Sequence, residues 1–195
     1  MRLNDLLPKT YEYRGDEIEI DLTFDNILDI FDVLKSKDLF EVEMAELSMI
    51  LLFGADRILP EDYAAVFNDV FETYLKTDEE EIIEYDLAGN PMPSDKIDKE
   101  GVIDLEQDAE YLFASFMQAY KINLYEAQGS LHWLEFKALL NGLPEDTIIK
   151  QIIHIRTWKP SKDDPQEYKE KMKKLQSYYR IKDKEEVDLW QRTET

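Results

Sequence analysis

Three helix-start signals follow one another between Asp104 and Trp158, and no other feature constrains the fold of this chain as strongly. Asp104, with Gln107 three residues on, has the form of an N-cap and its capping-box partner. Ser130 stands ahead of a second helix with Trp133, Phe136 and Leu140 in line, closed by Gly142. Pro144-Glu145-Asp146 puts a proline and two acids at the opening of a third, which carries Ile148, Ile152 and Ile155 with Ile149 and Ile153 on the adjoining row. Its β-branched content leaves a strand over 148–157 as the alternative. After Asp104, Ala109, Leu112, Phe113, Phe116, Met117 and Tyr120 recur at the helical period.

The rest of the chain follows the same grammar. Residues 10–22 alternate around Gly15-Asp16, with Tyr11, Tyr13, Ile18 and Ile20 at period two, which predicts a short hairpin. An isolated hairpin is marginal, so it must pack on helices. A helix is predicted from Thr23 or Asp25 to about Lys37, with Ile27, Ile30, Phe31 and Leu34 inward and Asp25, Asp29 and Asp32 on the wet side. The next covers about Glu41 to Phe53 and stops at Gly54. Its last turn, Met49-Ile50-Leu51-Leu52-Phe53, is apolar all round, so it is either central to the core or part of a binding face. A third opens at Pro60 and lines up Tyr63, Val66, Phe67, Val70, Phe71 and Tyr74. Residues 77–103 break the pattern and read as an acidic loop, with a short extended segment at Ile82, Ile83, Tyr85 and Leu87. A helical turn is expected at Asn123–Gln128. Asp164-Pro165-Gln166-Glu167 opens a last helix to about Arg180, with Tyr168, Met172, Leu175 and Tyr179 on one face. These elements add up to an all-α, multi-helix, bundle-like domain with a short N-terminal β-hairpin. One helical domain is expected over 1–182, followed by a polar tail over 183–195 from which Trp190 can dock back.

Charge narrows the function classes. Residues 1–127 carry 10 basic and 32 acidic side chains, a balance of −22, whereas residues 128–195 carry 13 and 12, a balance of +1. An acidic surface repels nucleic acid and anionic membranes; it serves solubility or a basic partner. The segment Trp158 to Lys184 interleaves lysines with Tyr178 and Tyr179, but Asp163, Asp164, Glu167 and Glu170 dilute it, so an amphipathic helix is expected there rather than a nucleic-acid surface. No apolar run approaches the roughly 18 residues of a membrane span, and the opening residues lack an apolar signal core. With no cysteine, disulfides and thiolate metal sites are excluded. The histidines, His132 and His154, lie 22 residues apart on different expected helices, and neither they nor the carboxylates have metal-ligand spacing. There is no glycine-rich phosphate loop, nucleophile elbow or His-Glu-x-x-His motif, so no enzyme activity and no cofactor are expected.

Four blocks in order carry a resemblance: DLEQDAEYLFASF from Asp104, SLHWLEFKALL from Ser130, GLPEDT from Gly142 and IRTW ending at Trp158. In these the chain resembles a small bacteriophage family named for gene product fifteen of siphophages of Gram-positive hosts, closely over the C-terminal half and more loosely over the acidic N-terminal half. The resemblance implies a protein of the tail-gene module, encoded just before the tape-measure gene. Proteins at that place are tail-assembly chaperones: acidic, helical, non-enzymatic and absent from the finished tail. What it implies, then, is binding of the tape-measure protein or other tail proteins in the host cytoplasm, with no nucleic-acid or membrane partner and with self-association left open. The other class of reading is a structural tail or head-completion component retained in the virion. A chaperone for apolar helices needs an exposed apolar groove in a charged exterior. The candidates for that groove are Trp133, Phe136, Leu140 and Trp158, or the run holding Met49, Leu52 and Phe53; packing in the core is the competing reading for each.

Overall fold

The computed structural model describes residues 4–76 and 102–182. Most of the expected acidic loop near 77–103, with its extended segment, lies outside the described residues, as do the tail over 183–195 and Trp190. The backbone groups into two compact units: Met1–Glu79 with Ile122–Gly142, and Glu80–Lys121 with Leu143–Thr195.

The first unit begins with an antiparallel hairpin, β1 (Thr10–Tyr13) and β2 (Asp16–Glu19), in the register Tyr11 opposite Ile18 and Tyr13 opposite Asp16. The turn is Arg14-Gly15, one residue earlier than expected; both have positive φ, 53° and 91°, as a two-residue turn matched to strand twist requires. The hairpin is anchored through its tyrosines, as its marginal intrinsic stability demands. The Tyr11 ring lies 5.5 Å from that of Phe53, and the Tyr11 hydroxyl donates to Asp69 at 2.9 Å. The Tyr13 hydroxyl donates to Asp62 at 2.7 Å and accepts from the Leu59 amide. That hydrogen bond, then the one from the Arg14 guanidinium, holds the Asp62 carboxyl below its ordinary range.

Three helices follow in this unit: α1 (Phe24–Lys35), α2 (Glu41–Phe53) and α3 (Tyr63–Val70), the last entered by a tight turn at Pro60–Asp62. On α1 the apolar stripe closes on Phe24, Ile27 and Ile30, all buried. α3 runs on into a wide turn over Phe71–Leu75, where the Lys76 amide reaches the Phe71 carbonyl at 2.7 Å. This extra residue per turn moves the inward position from the expected Tyr74 to Leu75, which is buried. The remaining helix of the unit, α5 (Trp133–Asn141), arrives from later in the sequence. It is fixed by backbone bonds from Phe24 to Leu131 and from Trp133 to Leu22. Its start is set by His132 rather than by Ser130. The Nδ1 of His132 accepts from the Leu134 amide at 3.1 Å and the Nε2 lies 3.1 Å from the Pro8 carbonyl, so the ring proton sits on Nε2. The core is aromatic where α1 meets α5: Phe24 stacks on Phe136 at 5.0 Å and Phe136 on Trp133 at 5.6 Å.

The second unit holds α4 (Ala109–Tyr120), α6 (Ile148–Thr157) and α7 (Gln166–Tyr179), packed around Leu112, Phe116, Leu143, Ile149, Ile152 and Met172. Segment 148–157 is therefore a helix, and its strand alternative falls away. α4 starts at Ala109, later than the expected Asp104. The Asp104 carboxylate instead closes a turn, accepting the Glu106 and Gln107 amides at 2.9 and 2.8 Å. Gln107 turns away to pair with the Lys182 backbone, donating at 2.7 Å and accepting at 2.9 Å. Asp108 is buried and forms a two-pronged ion pair with Arg156 at 2.6 and 2.8 Å. Arg156 also donates to the carbonyls of Val102 and Tyr179, tying α6 to the segment before α4 and to the last residue of α7. α7 starts at Gln166, and Asp164 caps a turn by accepting the Ser161 amide at 2.7 Å rather than capping the helix.

Candidate functional site

α2 is the element with more apolar surface than its core face can absorb. Met49, Leu52 and Phe53 point inward and are buried, at 2 %, 1 % and 8 % exposure. Leu47 and Ile50 point outward with 38 % and 41 % of their surface exposed, although an outward helical face is ordinarily polar. Beyond them Phe40, at the head of the helix, is 78 % exposed. Helix geometry accounts for this: Phe40, Met44, Leu47 and Leu51 recur at spacings of four, three and four, so they form one outward stripe.

Between this stripe and α1 lies an open groove of about 490 Å³. Its α1 wall is Asp29, Asp32, Val33 and Ser36; Leu39 closes one end, and Leu47, Ile50 and Leu51 form the α2 wall. The floor is apolar and the rim is acidic. Neither Asp29 nor Asp32 makes an ion pair among the described residues, and both are exposed. A further carboxylate, Glu43, is exposed on α2 beside the stripe. Glu43 also steadies the head of the helix, accepting the Phe40 amide at 2.9 Å. At the other end Asn26 donates to the Leu51 and Asp21 carbonyls, both at 2.9 Å, locking the α1–α2 pair.

The residues singled out in the sequence divide differently. Trp133 and Phe136 lie inside the first unit at 4 % and 2 % exposure, in the aromatic stack with Phe24. Leu140, on the same helix, is half-buried. Trp158 is half-buried in the second unit, its ring 5.8 Å from that of Tyr168. Met49, Leu52 and Phe53 are buried in the core on the far side of α2, while Ile50 and Leu51 of the same run line the groove. Among the described residues no group of three or more His, Asp or Glu is arranged to hold a metal ion. His132 is engaged as a helix cap and His154 is exposed. Also among them, no helix is long and apolar enough to cross a membrane.

A family model described as Bacteriophage Gp15 protein matches residues 3–181. The chain belongs to this family. The match takes in the groove helices α1 and α2 as well as the four C-terminal blocks, so the acidic N-terminal half is as much a part of this Gp15 family member as the half with the closer resemblance. Neither the curated proteins nor the solved structures contain a significant match to the chain. The groove residues Val33, Leu39 and Leu47 carry no signal of their own in the sequence. The signal available was that the last turn of α2, Met49–Phe53, is apolar on every side, which a helix with a single buried face has no need to be.

Proposed function

We propose that this Gp15 family member is a phage tail-assembly chaperone: without catalysing a reaction, it binds the tape-measure protein in the host cytoplasm and keeps it soluble while the tail is built. The family membership supports a phage structural or tail-related role. The observation that carries the finer reading is the apolar groove between α1 and α2, set in a region of high negative charge. Such a surface suits apolar helical segments of a client, because it offers apolar area to bury while the surrounding charge keeps the complex in solution.

Co-expression with the tape-measure protein tests it. The soluble fraction of that protein is expected to rise with the intact chain and to fall back with Leu47→Glu/Ile50→Glu, which puts charge in the groove at two already exposed positions. Equal insolubility with and without the chain removes the client assignment. Mass spectrometry of purified virions separates the rival class: abundant copies in mature tails identify a retained structural component.

A further inference from the structure

We infer that the α1–α2 groove is built for one helix of a partner protein, with apolar residues at alternating three- and four-residue spacing and lysine or arginine at the positions beside them. This rests on the reading of the groove as a client site and specifies the client's chemistry.

The stripe Phe40, Met44, Leu47 and Leu51 has the 4-3-4 spacing of a helix-pairing seam and spans three turns. Side chains at that spacing are complementary to a second helix; an extended peptide would need unpaired backbone groups, and the groove is lined by helices, not by a strand edge. The flanks set the charge of the occupant. Asp29 and Asp32 on α1, with Glu43 on α2, put carboxylates where residues beside the partner's seam would lie. The helical pair with its connections, residues 21–56, holds nine acidic and two basic side chains, a balance of −7. Those two bases, Lys35 and Lys37, sit at the end of α1 and are not among the groove's lining residues. A second copy of this chain would bring the same carboxylates to the same flanks, so like charge opposes that occupant.

Two synthetic helical peptides sharing one leucine seam test the inference, one with lysine and one with glutamate at the flanking positions, bound to the full chain and followed by fluorescence anisotropy. The lysine peptide is expected to bind about 10-fold more tightly at low salt, since three screened pairs of ordinary strength multiply to roughly that factor. The gap is expected to close as salt rises to about 0.5 M. Asp29→Asn/Asp32→Asn, at exposed positions where folding is not at stake, is expected to narrow it as well, and Leu47→Glu/Ile50→Glu to abolish binding of the lysine peptide. Equal binding of the two peptides, or discrimination unchanged by Asp29→Asn/Asp32→Asn, overturns the inference, and so does a homodimer that the peptide disperses, which would assign the groove to a second copy. The outcomes separate from those of the chaperone reading. Charge-selective peptide binding without any effect on tape-measure solubility sinks the chaperone and leaves the groove's specificity standing; solubilisation without charge selectivity does the reverse.

Discussion

Removing the Asp108 carboxylate should be among the most damaging single changes in the second unit. Asp108 is 1 % exposed and the Arg156 side chain 10 %, so both charges are withdrawn from water. Their pairing at 2.6 and 2.8 Å is two-pronged, the geometry in which a guanidinium and a carboxylate satisfy each other best. Breaking such a pair from one side costs about 3–5 kcal/mol, because the surviving charge is left buried and uncompensated. In Asp108→Ala the guanidinium keeps the Val102 and Tyr179 carbonyls, which argues for the lower end, near ~3 kcal/mol. Arg156→Met should cost more, about 4–5 kcal/mol, since the stranded carboxylate retains only the Asp104 amide at 3.0 Å. The double variant leaves no orphaned charge, so its cost should fall below the sum of the singles by about 2 kcal/mol or more. Urea unfolding followed by circular dichroism gives the energies, and amide exchange over α4 and α6 reports whether the loss is seated there. For a chain of this size ~3 kcal/mol corresponds to a fall in Tm of about 6–12 °C. Singles costing under about 1 kcal/mol, or a double variant that is simply additive, would refute the reasoning.

Two further outcomes can be checked with point variants. His132→Ala removes the side-chain acceptor at the head of α5 and the link to the Pro8 carbonyl, and should cost about 1–2 kcal/mol in urea unfolding; His132→Asn, which retains a capping oxygen, should recover part of it. Tyr11 has its hydroxyl pushed up to about 12, by burial first and then by the hydrogen bond to Asp69. A raised folded value means that the native state holds the proton longer, so this contribution is intact below the ordinary tyrosine value near 10 and is lost as pH climbs towards 12. The stability gap between the intact chain and Tyr11→Phe should therefore shrink across that window, and a gap independent of pH there rules the linkage out.

Helix bodies were legible because helical periodicity is local. α2 runs over the residues that its pattern and Gly54 indicate, and Ile27 and Ile30 on α1 are as buried as their spacing requires. Helix starts were less legible, because the capping groups were recruited by distant partners. Asp104 and Gln107 have the right spacing for a capping box, yet one closes a turn and the other binds backbone 75 residues away. Ser130 gives way to His132 because residues 131–133 are drawn alongside Leu22–Phe24, which no local rule foresees. The Asp108–Arg156 pair joins positions 48 residues apart in a chain with 44 acids, so nothing in the sequence marks that aspartate among its neighbours.

The groove shows the same limit from the other side. A single helix can be read as core or as binding face, and the sequence poses this as a choice for Met49–Phe53. In the structure Met49, Leu52 and Phe53 occupy one side of α2 and are buried, while Ile50 and Leu51 line the groove on the other. A helix turn that is apolar on both sides shows no amphipathic stripe, so periodicity alone does not separate its two faces. On the proposed reading this outward face stays open to a client, and the carboxylates at 29, 32 and 43 oppose a second copy through like charge. The same three charges that oppose a second copy would attract a basic-flanked helix, so on that reading both properties would follow from one arrangement of residues. Neutralising them should then have two effects of opposite sign: weaker capture of a lysine-flanked helix, and stronger association of the chain with itself, visible as a concentration-dependent rise in sedimentation coefficient. A variant that loses capture while remaining strictly monomeric would break that link and leave the acids with a role in recognition alone.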